Sequence, residues 1–285
     1  MTAPPPLPKL FVKMATQNAL IEDLGGLGDR TSDLTIPSDL QLQASIVSRE
    51  AGIFCGTQFI SEAFEQIDPK IDVVMVVADG ETIAPQTIIA HIKGPARGLF
   101  AAERVALNFA GHLSGIATTT SQMVTAIKGT SATIAATRKT LPGLRSAQKY
   151  AVICGGGRPH RFGLSDGILI KDNHIAAAGG IKSAVESAIA GRHHLESIIV
   201  EVDTLDQLAQ TLIYPIQGVL LDNMVPETIT AAVAMINRRF TAEASGGITL
   251  DNVRSIAECG VDVISCGWLT HSSRNLDLGL DVTTT

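Results

Sequence analysis

Between residues 131 and 267, short apolar runs alternate with longer amphipathic stretches. TIAATRK, GILIKDN, SIIVEVD, GVLLDN, TAEASGG and VDVISCG are each compact enough for a buried parallel strand. Between the later runs, AGGIKSAVESAIA, LDQLAQTL, PETITAAVAMI and TLDNVRSIAECG read as amphipathic helices. Repeated βα units predict parallel strands joined by right-handed crossovers. Every run ends in polar residues or glycine: Arg138-Lys139, Lys171, Glu201, Asp222, Ser245-Gly246-Gly247 and Gly267. A (β/α) barrel carries its active site at these C-terminal strand ends, and a regular eight-unit barrel takes about 250 residues. The span is much shorter, so the pattern predicts an incomplete, open barrel.

Upstream the texture differs. Residues 40–98 read as β-rich, with LQASIVSR, IDVVMVVADGETI and TIIAHIKG separated by turn signals such as Asp79-Gly80. Ala101–Ile127 reads as one long helix, bent near Gly111 or Gly115, and the final LDLGLDV as a strand able to return to the first domain. The expected architecture is α/β. An N-terminal α+β sandwich-like domain covers residues 1–107, joined by a strand in 271–285, and an open (β/α) barrel covers 108–270. The proline-rich start, MTAPPPLPKLF, reads as a loose arm.

Composition narrows the function classes. The 285 residues are 45% hydrophobic, with mean hydropathy +0.25, as in a compact globular protein. No apolar run approaches the roughly 18–20 residues that span a bilayer, and the N-terminus lacks an apolar signal core, so a cytoplasmic protein without membrane contact is expected. Four cysteines without CxxC or Cys/His ligand spacing read as buried reduced thiols. One Trp, two Tyr and a formal charge of −6 make a poor nucleic-acid binder.

Charge distribution changes the picture. Residues 136–174 carry seven Lys or Arg and two His against only two acids, inside an acidic chain. Arg138, Lys139, Arg161 and Lys171 supply the forked and point-like donors that carboxylates and phosphates require, with His160 and the glycines at 155–157 beside them. Ser245-Gly246-Gly247 and Gly267 end successive strands, where glycine lets backbone approach an anion and where barrels commonly hold phosphate. Glu201 and Asp222 close adjacent strands. Such a pair can hold ribose hydroxyls, ligate Mg²⁺ or stabilise an oxocarbenium-like centre. Lys171 also admits Schiff-base chemistry with a carbonyl substrate. The residues therefore point to a barrel enzyme acting on a multiply anionic, phosphate-bearing substrate with a sugar and Mg²⁺, and leave the reaction open.

GDRTSDLT (28–35), ERVALNFAGHLSGIAT (103–118), TRKTLPGLR (137–145), KYAVICGGGRPHRFGLSDGILIKDNH (149–174), EVD (201–203), LLDN (220–223), EASGGI (243–248) and GWLTHS (267–272) resemble, in order, the quinolinate phosphoribosyltransferase family. The resemblance implies transfer of phosphoribosyl from 5-phosphoribosyl-1-pyrophosphate to quinolinate, with Mg²⁺, giving nicotinate mononucleotide, pyrophosphate and CO₂. It implies that Arg138, His160, Arg161 and Lys171 cradle quinolinate, and that Lys139 contacts phosphate, with Thr137 also among the substrate-binding positions. Glu201 and Asp222 would meet the ribose hydroxyls or Mg²⁺. Ser245, Gly246, Gly247 and Gly267 would hold the 5-phosphate, with His271 close by. Lys139, Lys171, Glu201 and Asp222 would be the catalytic set. Arg104 would complete the neighbouring subunit's site in a homodimer. Ala136 departs from the resemblance, standing where many members have an acid. The competing expectations are a paralogue of the same fold, such as the molybdenum-transport-associated homologues, and a Schiff-base barrel aldolase.

Overall fold

The computed structural model describes residues 4–283, so Met1–Ala3 of the proline-rich arm lie outside the described residues. The chain divides into two compact units. The first comprises residues up to Ser121, Thr140–Gly156 and the stretch from Leu269; the second comprises Gln122–Lys139 and Gly157–Trp268.

The first unit opens with helices α1 (Lys9–Leu24) and α2 (Arg30–Thr35), then strands β1 (Gln41–Ser48) and β2 (Gly52–Ile53) and helix α3 (Thr57–Ile67). Strands β3 (Asp72–Met75), β4 (Thr82–Ile83) and β5 (Ile88–Pro95) lead into α4 (Ala96–Ala126). The β-rich reading of residues 40–98 is corrected at α3. Phe59, Ile60, Ala63 and Phe64 are its buried residues, and that spacing lines one helical face. Phe59 stacks on Phe109 of α4 at 4.4 Å and meets Phe11 of α1 edge-on at 6.4 Å. The loose-arm reading is also corrected, because helix begins at Lys9. Leu7 is buried, and its N–H donates to Gln58 Oε1 at 2.9 Å. One apolar residue among the prolines is enough to dock that stretch on α3.

Asp79, in the turn anticipated at Asp79-Gly80, accepts from the Gly56 and Thr57 N–H groups at 2.8 and 3.0 Å. These are orphan donors at the start of α3, so the turn caps a helix more than twenty residues earlier in the chain. Tyr150 donates its hydroxyl to the same carboxylate at 2.8 Å, and burial together with that charge pushes the phenol well above its ordinary range. Gly111 and Gly115 provide close approach on α4. A Cβ on either would collide with backbone oxygens, Leu276 O at Gly111 and Arg274 O at Gly115.

The second unit holds the six short runs. They form β6 (Thr133–Ala135), β7 (Ile168–Ile170), β8 (Ile198–Val202), β9 (Gly218–Asp222), β10 (Thr241–Ser245) and β11 (Val263–Ser265), interleaved with helices. Helix α5 (Arg145–Cys154) packs with the first unit; α6 (Asp172–Ala177), α7 (Ile181–Gly191), α8 (Leu205–Thr211), α9 (Pro226–Ile236) and α10 (Val253–Glu258) follow the strands. After α11 (Trp268–His271), β12 (Leu278–Val282) pairs antiparallel with β1. The first unit's main sheet has the order β12-β1-β5-β3. Arg49 grips Asp281 across β1 and β12 with a two-pronged contact of 2.5 and 2.9 Å.

The six-stranded sheet is parallel throughout, in the order β6-β11-β10-β9-β8-β7. Its edge strands do not pair with each other in that order. Even so, Thr133 and Ala135 of β6 and Ile168 and Leu169 of β7 line one pocket of about 280 Å³, together with residues of β8, β10 and β11. Opposite edges can share a cavity only when the sheet curls round, so the unit is an open barrel. A short stub at Arg158, bridged to Ala135, extends the β6 edge.

Candidate active site

Strand register decides which side chains face inward. Glu201 lies level with Leu220, and Leu220 with Glu243; two residues further along, Asp222 lies level with Ser245. Residues two apart on a strand share a face, so Glu201, Asp222, Glu243 and Ser245 all project to the barrel interior near the C-terminal strand ends. Glu201 and Glu243 are buried. A buried carboxylate demands a partner, and each glutamate has a basic group beside it. Lys171 Nζ bonds Glu201 Oε2, and His160 Nε2 lies 3.3 Å from Glu243 Oε1.

Lys171 ends the β7 run, and its N–H donates to His174 Nδ1 at 2.9 Å, which fixes the entry to α6. Its ammonium sits on a carboxylate rather than in a desolvating apolar pocket of the kind that makes a lysine nucleophilic. That contact argues against Schiff-base chemistry.

Arg138 and Arg161 form the electropositive side. Burial, followed by repulsion from Arg138, lowers the pKa of Arg161, while Asp166 and Glu243 oppose the shift. Arg161 Nη1 donates to Gly167 O at 3.0 Å. Arg138 Nε is buried without a hydrogen-bond partner. Two neighbouring guanidinium groups, one with an orphan donor, suit the binding of an anion. Ala136 is fully buried with its N–H on Arg158 O at 2.9 Å, so it holds the local backbone but offers these cations no acceptor.

Thr137 Oγ1 accepts from the Lys139 N–H at 3.0 Å. The aliphatic stem of Lys139 passes over Gly267, where a Cβ would lie 2.8 Å from Lys139 Cδ. Glycine at 267 therefore makes room for Lys139. Gly246 and Gly247 both take positive φ, 87° and 59°, directly after β10. The expectation that a helix begins at once after this turn is corrected: α10 starts only at Val253, and Asn252 ties the intervening loop by donating from Nδ2 to Gly247 O at 2.9 Å. A Cβ on Gly246 would strike Asn223 Oδ1. Gly246→Ala is accordingly expected to lower stability by about 1–3 kcal/mol through a forbidden φ and that clash. Denaturant melts alongside the KM for the phosphorylated substrate would check it, and a variant unchanged in both would refute the close-approach role.

Twelve of the fourteen sequence candidates thus fall in the second unit: Thr137, Arg138, Lys139, His160, Arg161, Lys171, Glu201, Asp222, Ser245, Gly246, Gly247 and Gly267. Arg104 and His271 belong to the first. Arg104 is exposed on α4, 4.0 Å from Glu103, and His271 Nδ1 meets Ser272 Oγ at 2.6 Å. Glu243 was not among the candidates. Its signal was present as an acid at an inward position of the buried strand TAEAS, two residues before Ser245.

The four cysteines are free thiols, with Cys55 and Cys266 buried and Cys154 and Cys259 half-buried. The burial expectation thus holds for two of them. Among the described residues, no helix is long and apolar enough to cross a membrane.

Two family models match the chain: the quinolinate phosphoribosyl transferase N-terminal domain over residues 29–114 and its C-terminal domain over 116–281. The chain belongs to the quinolinate phosphoribosyl transferase family. Similarity to individual members is spread over the full length. A probable nicotinate-nucleotide pyrophosphorylase (carboxylating) of Bacillus subtilis is 40% identical over 274 residues, covering 96% of this chain and 94% of that protein. The chloroplastic nicotinate-nucleotide pyrophosphorylase (carboxylating) of Arabidopsis thaliana is 40% identical over 99% of this chain and 85% of its own length. The solved structure of the nicotinate-nucleotide pyrophosphorylase from Francisella tularensis superposes with a TM-score of 0.93 at 38% identity, covering 98% of each chain. That match has the family's architecture, a parallel α/β layer with an antiparallel N-terminal sheet, as the alternation of apolar runs anticipated.

Proposed function

We propose that this protein is a quinolinate phosphoribosyltransferase (decarboxylating), a pentosyltransferase of de novo NAD biosynthesis. It joins quinolinate to 5-phosphoribosyl-1-pyrophosphate and yields nicotinate mononucleotide, pyrophosphate and CO₂. Family membership supplies the reaction, and the paired Arg138 and Arg161 guanidiniums, with the orphan Arg138 Nε, carry the reading in this chain. A dicarboxylate fits that charge arrangement; a neutral substrate would leave the two cations repelling each other.

The roles follow from position. Arg138 and Arg161 bind and orient the carboxylates, with Lys171 beside them. Glu201 and Asp222, on the strand ends, face developing positive charge at the ribose anomeric carbon and stabilise it electrostatically. Lys139, lying over Gly267, offsets negative charge on the departing pyrophosphate, while the Ser245-Gly246-Gly247 turn takes the 5-phosphate. His271 lies in the chain segment that follows Gly267. Once the ring nitrogen is alkylated, the pyridinium accepts the electron pair left when the adjacent carboxylate departs as CO₂, and that ring carbon then takes a proton from water.

Mg²⁺ fits the donor set. Among the described residues no cluster of three or more His, Cys, Asp or Glu could hold a metal. Mg²⁺ is commonly bound by only one or two carboxylates plus substrate oxygens and water. Asp222 suits this: Asn223 Nδ2 occupies Oδ2 at 2.6 Å, leaving Oδ1 for a cation, with Glu201 on the neighbouring strand. When bound, Mg²⁺ would neutralise pyrophosphate charge. The assembly is a homodimer in which Arg104 reaches the partner's site, and the setting is cytoplasmic.

The test is a product assay with quinolinate, phosphoribosyl pyrophosphate and Mg²⁺. Nicotinate mononucleotide and CO₂ are expected in equal amounts, dependent on all three additions. A folded protein that forms neither product, yet transfers phosphoribosyl to a different acid, would replace this reading with that of a paralogue.

A further inference from the structure

His160 occupies an unusual place. Its backbone φ is 54°, in the left-handed region that a non-glycine residue enters only at a steric cost. In that conformation the N–H of the next residue, Arg161, donates to His160 Nδ1 at 2.8 Å. A backbone N–H can only donate, so Nδ1 carries no proton and the ring hydrogen resides on Nε2. Nε2 in turn lies 3.3 Å from Glu243 Oε1. Both ring nitrogens are therefore engaged within the protein, one on the Arg161 backbone and the other toward Glu243.

Glu243 has little else to do. It is buried in the interior, level with Leu220 on β9 and Val263 on β11, two apolar residues. A packing layer alone would have favoured an apolar side chain there, because an isolated buried carboxylate is costly. The approach to Nε2 is within ion-pair reach but too poorly aligned for a hydrogen bond, which leaves Oε1 without a hydrogen-bond partner. Contacts of this kind are often loose before a ligand arrives and tighten once it binds. The same carboxylate acts through space on the Arg161 guanidinium, and both side chains line the 280 Å³ pocket with His160.

We infer that Glu243 is a positioning residue. It holds the His160 imidazole by Nε2–H so that the ring, through Nδ1, clamps the Arg161 backbone and aims the Arg161 guanidinium at a substrate carboxylate. His160 is thereby a brace and not a donor to the substrate. This rests on the dicarboxylate reading of the Arg138–Arg161 site. The relation parallels the outer carboxylates that fix the tautomer and orientation of histidines at metal and catalytic sites.

The test has two arms. In the first, ¹⁵N-histidine NMR of the wild-type protein reads the His160 tautomer, assigned by loss of its signals in His160→Gln. The Nε2–H form is expected, and an Nδ1–H form would overturn the proposal whatever the protein binds. In the second, calorimetry measures quinolinate and phosphoribosyl pyrophosphate binding to Glu243→Gln and Glu243→Leu. The glutamine oxygen still accepts from Nε2–H, so Glu243→Gln should keep quinolinate affinity within about threefold, whereas Glu243→Leu should weaken it about tenfold or more. Phosphoribosyl pyrophosphate affinity should stay within about twofold in both, since only the carboxylate side of the pocket is misaligned. Equal losses for both ligands, or no loss with leucine, would overturn the positioning role alone. Should Glu243→Leu not fold, the wild-type tautomer and Glu243→Gln still decide, a glutamine variant tenfold weaker for quinolinate counting against the role. A wild type that binds phosphoribosyl pyrophosphate but no quinolinate would sink the dicarboxylate reading and this role with it.

Discussion

Arg161→Ala weakens quinolinate binding by about a hundredfold or more while the protein still folds, because truncating one member of a buried, hydrogen-bonded charge pair costs roughly 2–5 kcal/mol. Arg161 is half-buried beside Arg138, whose charge opposes its own. In the free protein this repulsion is a standing cost, and a bound carboxylate converts it into attraction for both guanidiniums. Removing Arg161 deletes that gain; in the free protein it relieves the repulsion and forfeits the attraction to Asp166 and Glu243, and these oppose each other, so stability should change little. The one hydrogen bond lost, Nη1 to Gly167 O at 3.0 Å, is worth about 1 kcal/mol. Affinity and stability should therefore separate, with a large rise in quinolinate Kd by calorimetry and a denaturant midpoint close to wild type. Arg161→Lys keeps the charge and loses the fork, so its affinity should fall between the two. Wild-type quinolinate affinity in folded Arg161→Ala would refute the assignment.

The placement of the candidate site was more legible in the sequence than the first unit's fold, for a physical reason. In the barrel, each strand is a short apolar run closed by a polar residue or glycine, so one pattern marks both the strand and the candidate site. Lys171 and Asp222 were visible because a polar residue follows each at the end of its run, and Glu201 because only Val202 separates it from Asp203 at the end of its own. Glu243 was harder to see because it lies inside a run, one layer below the strand end, where only the alternation of TAEAS marks it as inward-facing. In the first unit the helices had weaker signatures. Helix α1 buries only Val12, Thr16 and Leu20, a threonine interrupting the stripe, and its outer face carries exposed Leu10, Met14 and Ile21. Its periodicity is blurred from both sides. Helix α3 is strongly amphipathic but only 11 residues long between strand-like runs. Grouping by contact was not legible at all. Residues 140–156 follow β6 in sequence yet pack with the first unit, where Gln148 accepts from the Leu141 N–H at 2.9 Å and donates to Thr270 O at 2.6 Å. Pairings between residues more than a hundred positions apart leave no local pattern.

Mixing two inactive variants, Arg104→Ala and Lys171→Ala, restores about a quarter of wild-type activity if the dimer is two-fold symmetric and each site takes Arg104 from the partner. The Arg104 side chain is 61% exposed, and the 4.0 Å contact to Glu103 is too long and too open to account for an arginine on that helix face. Lys171, by contrast, is bound to Glu201 within the barrel. In a mixed dimer, the subunit bearing Arg104→Ala keeps its own Lys171 and receives an intact Arg104 from its partner. The other site lacks both residues. Random exchange makes half the dimers mixed, and half of their sites are intact, which sets the recovery at about one quarter. The two variants are first exchanged under mild dissociating conditions, and mixed dimers are verified by tagging one variant and co-purifying the other. Activity is then measured at saturating substrates. Recovery near a quarter would show that Arg104 acts across subunits. No recovery in verified mixed dimers would mean that Arg104 and Lys171 serve the same subunit, and each chain would then hold a site complete in itself.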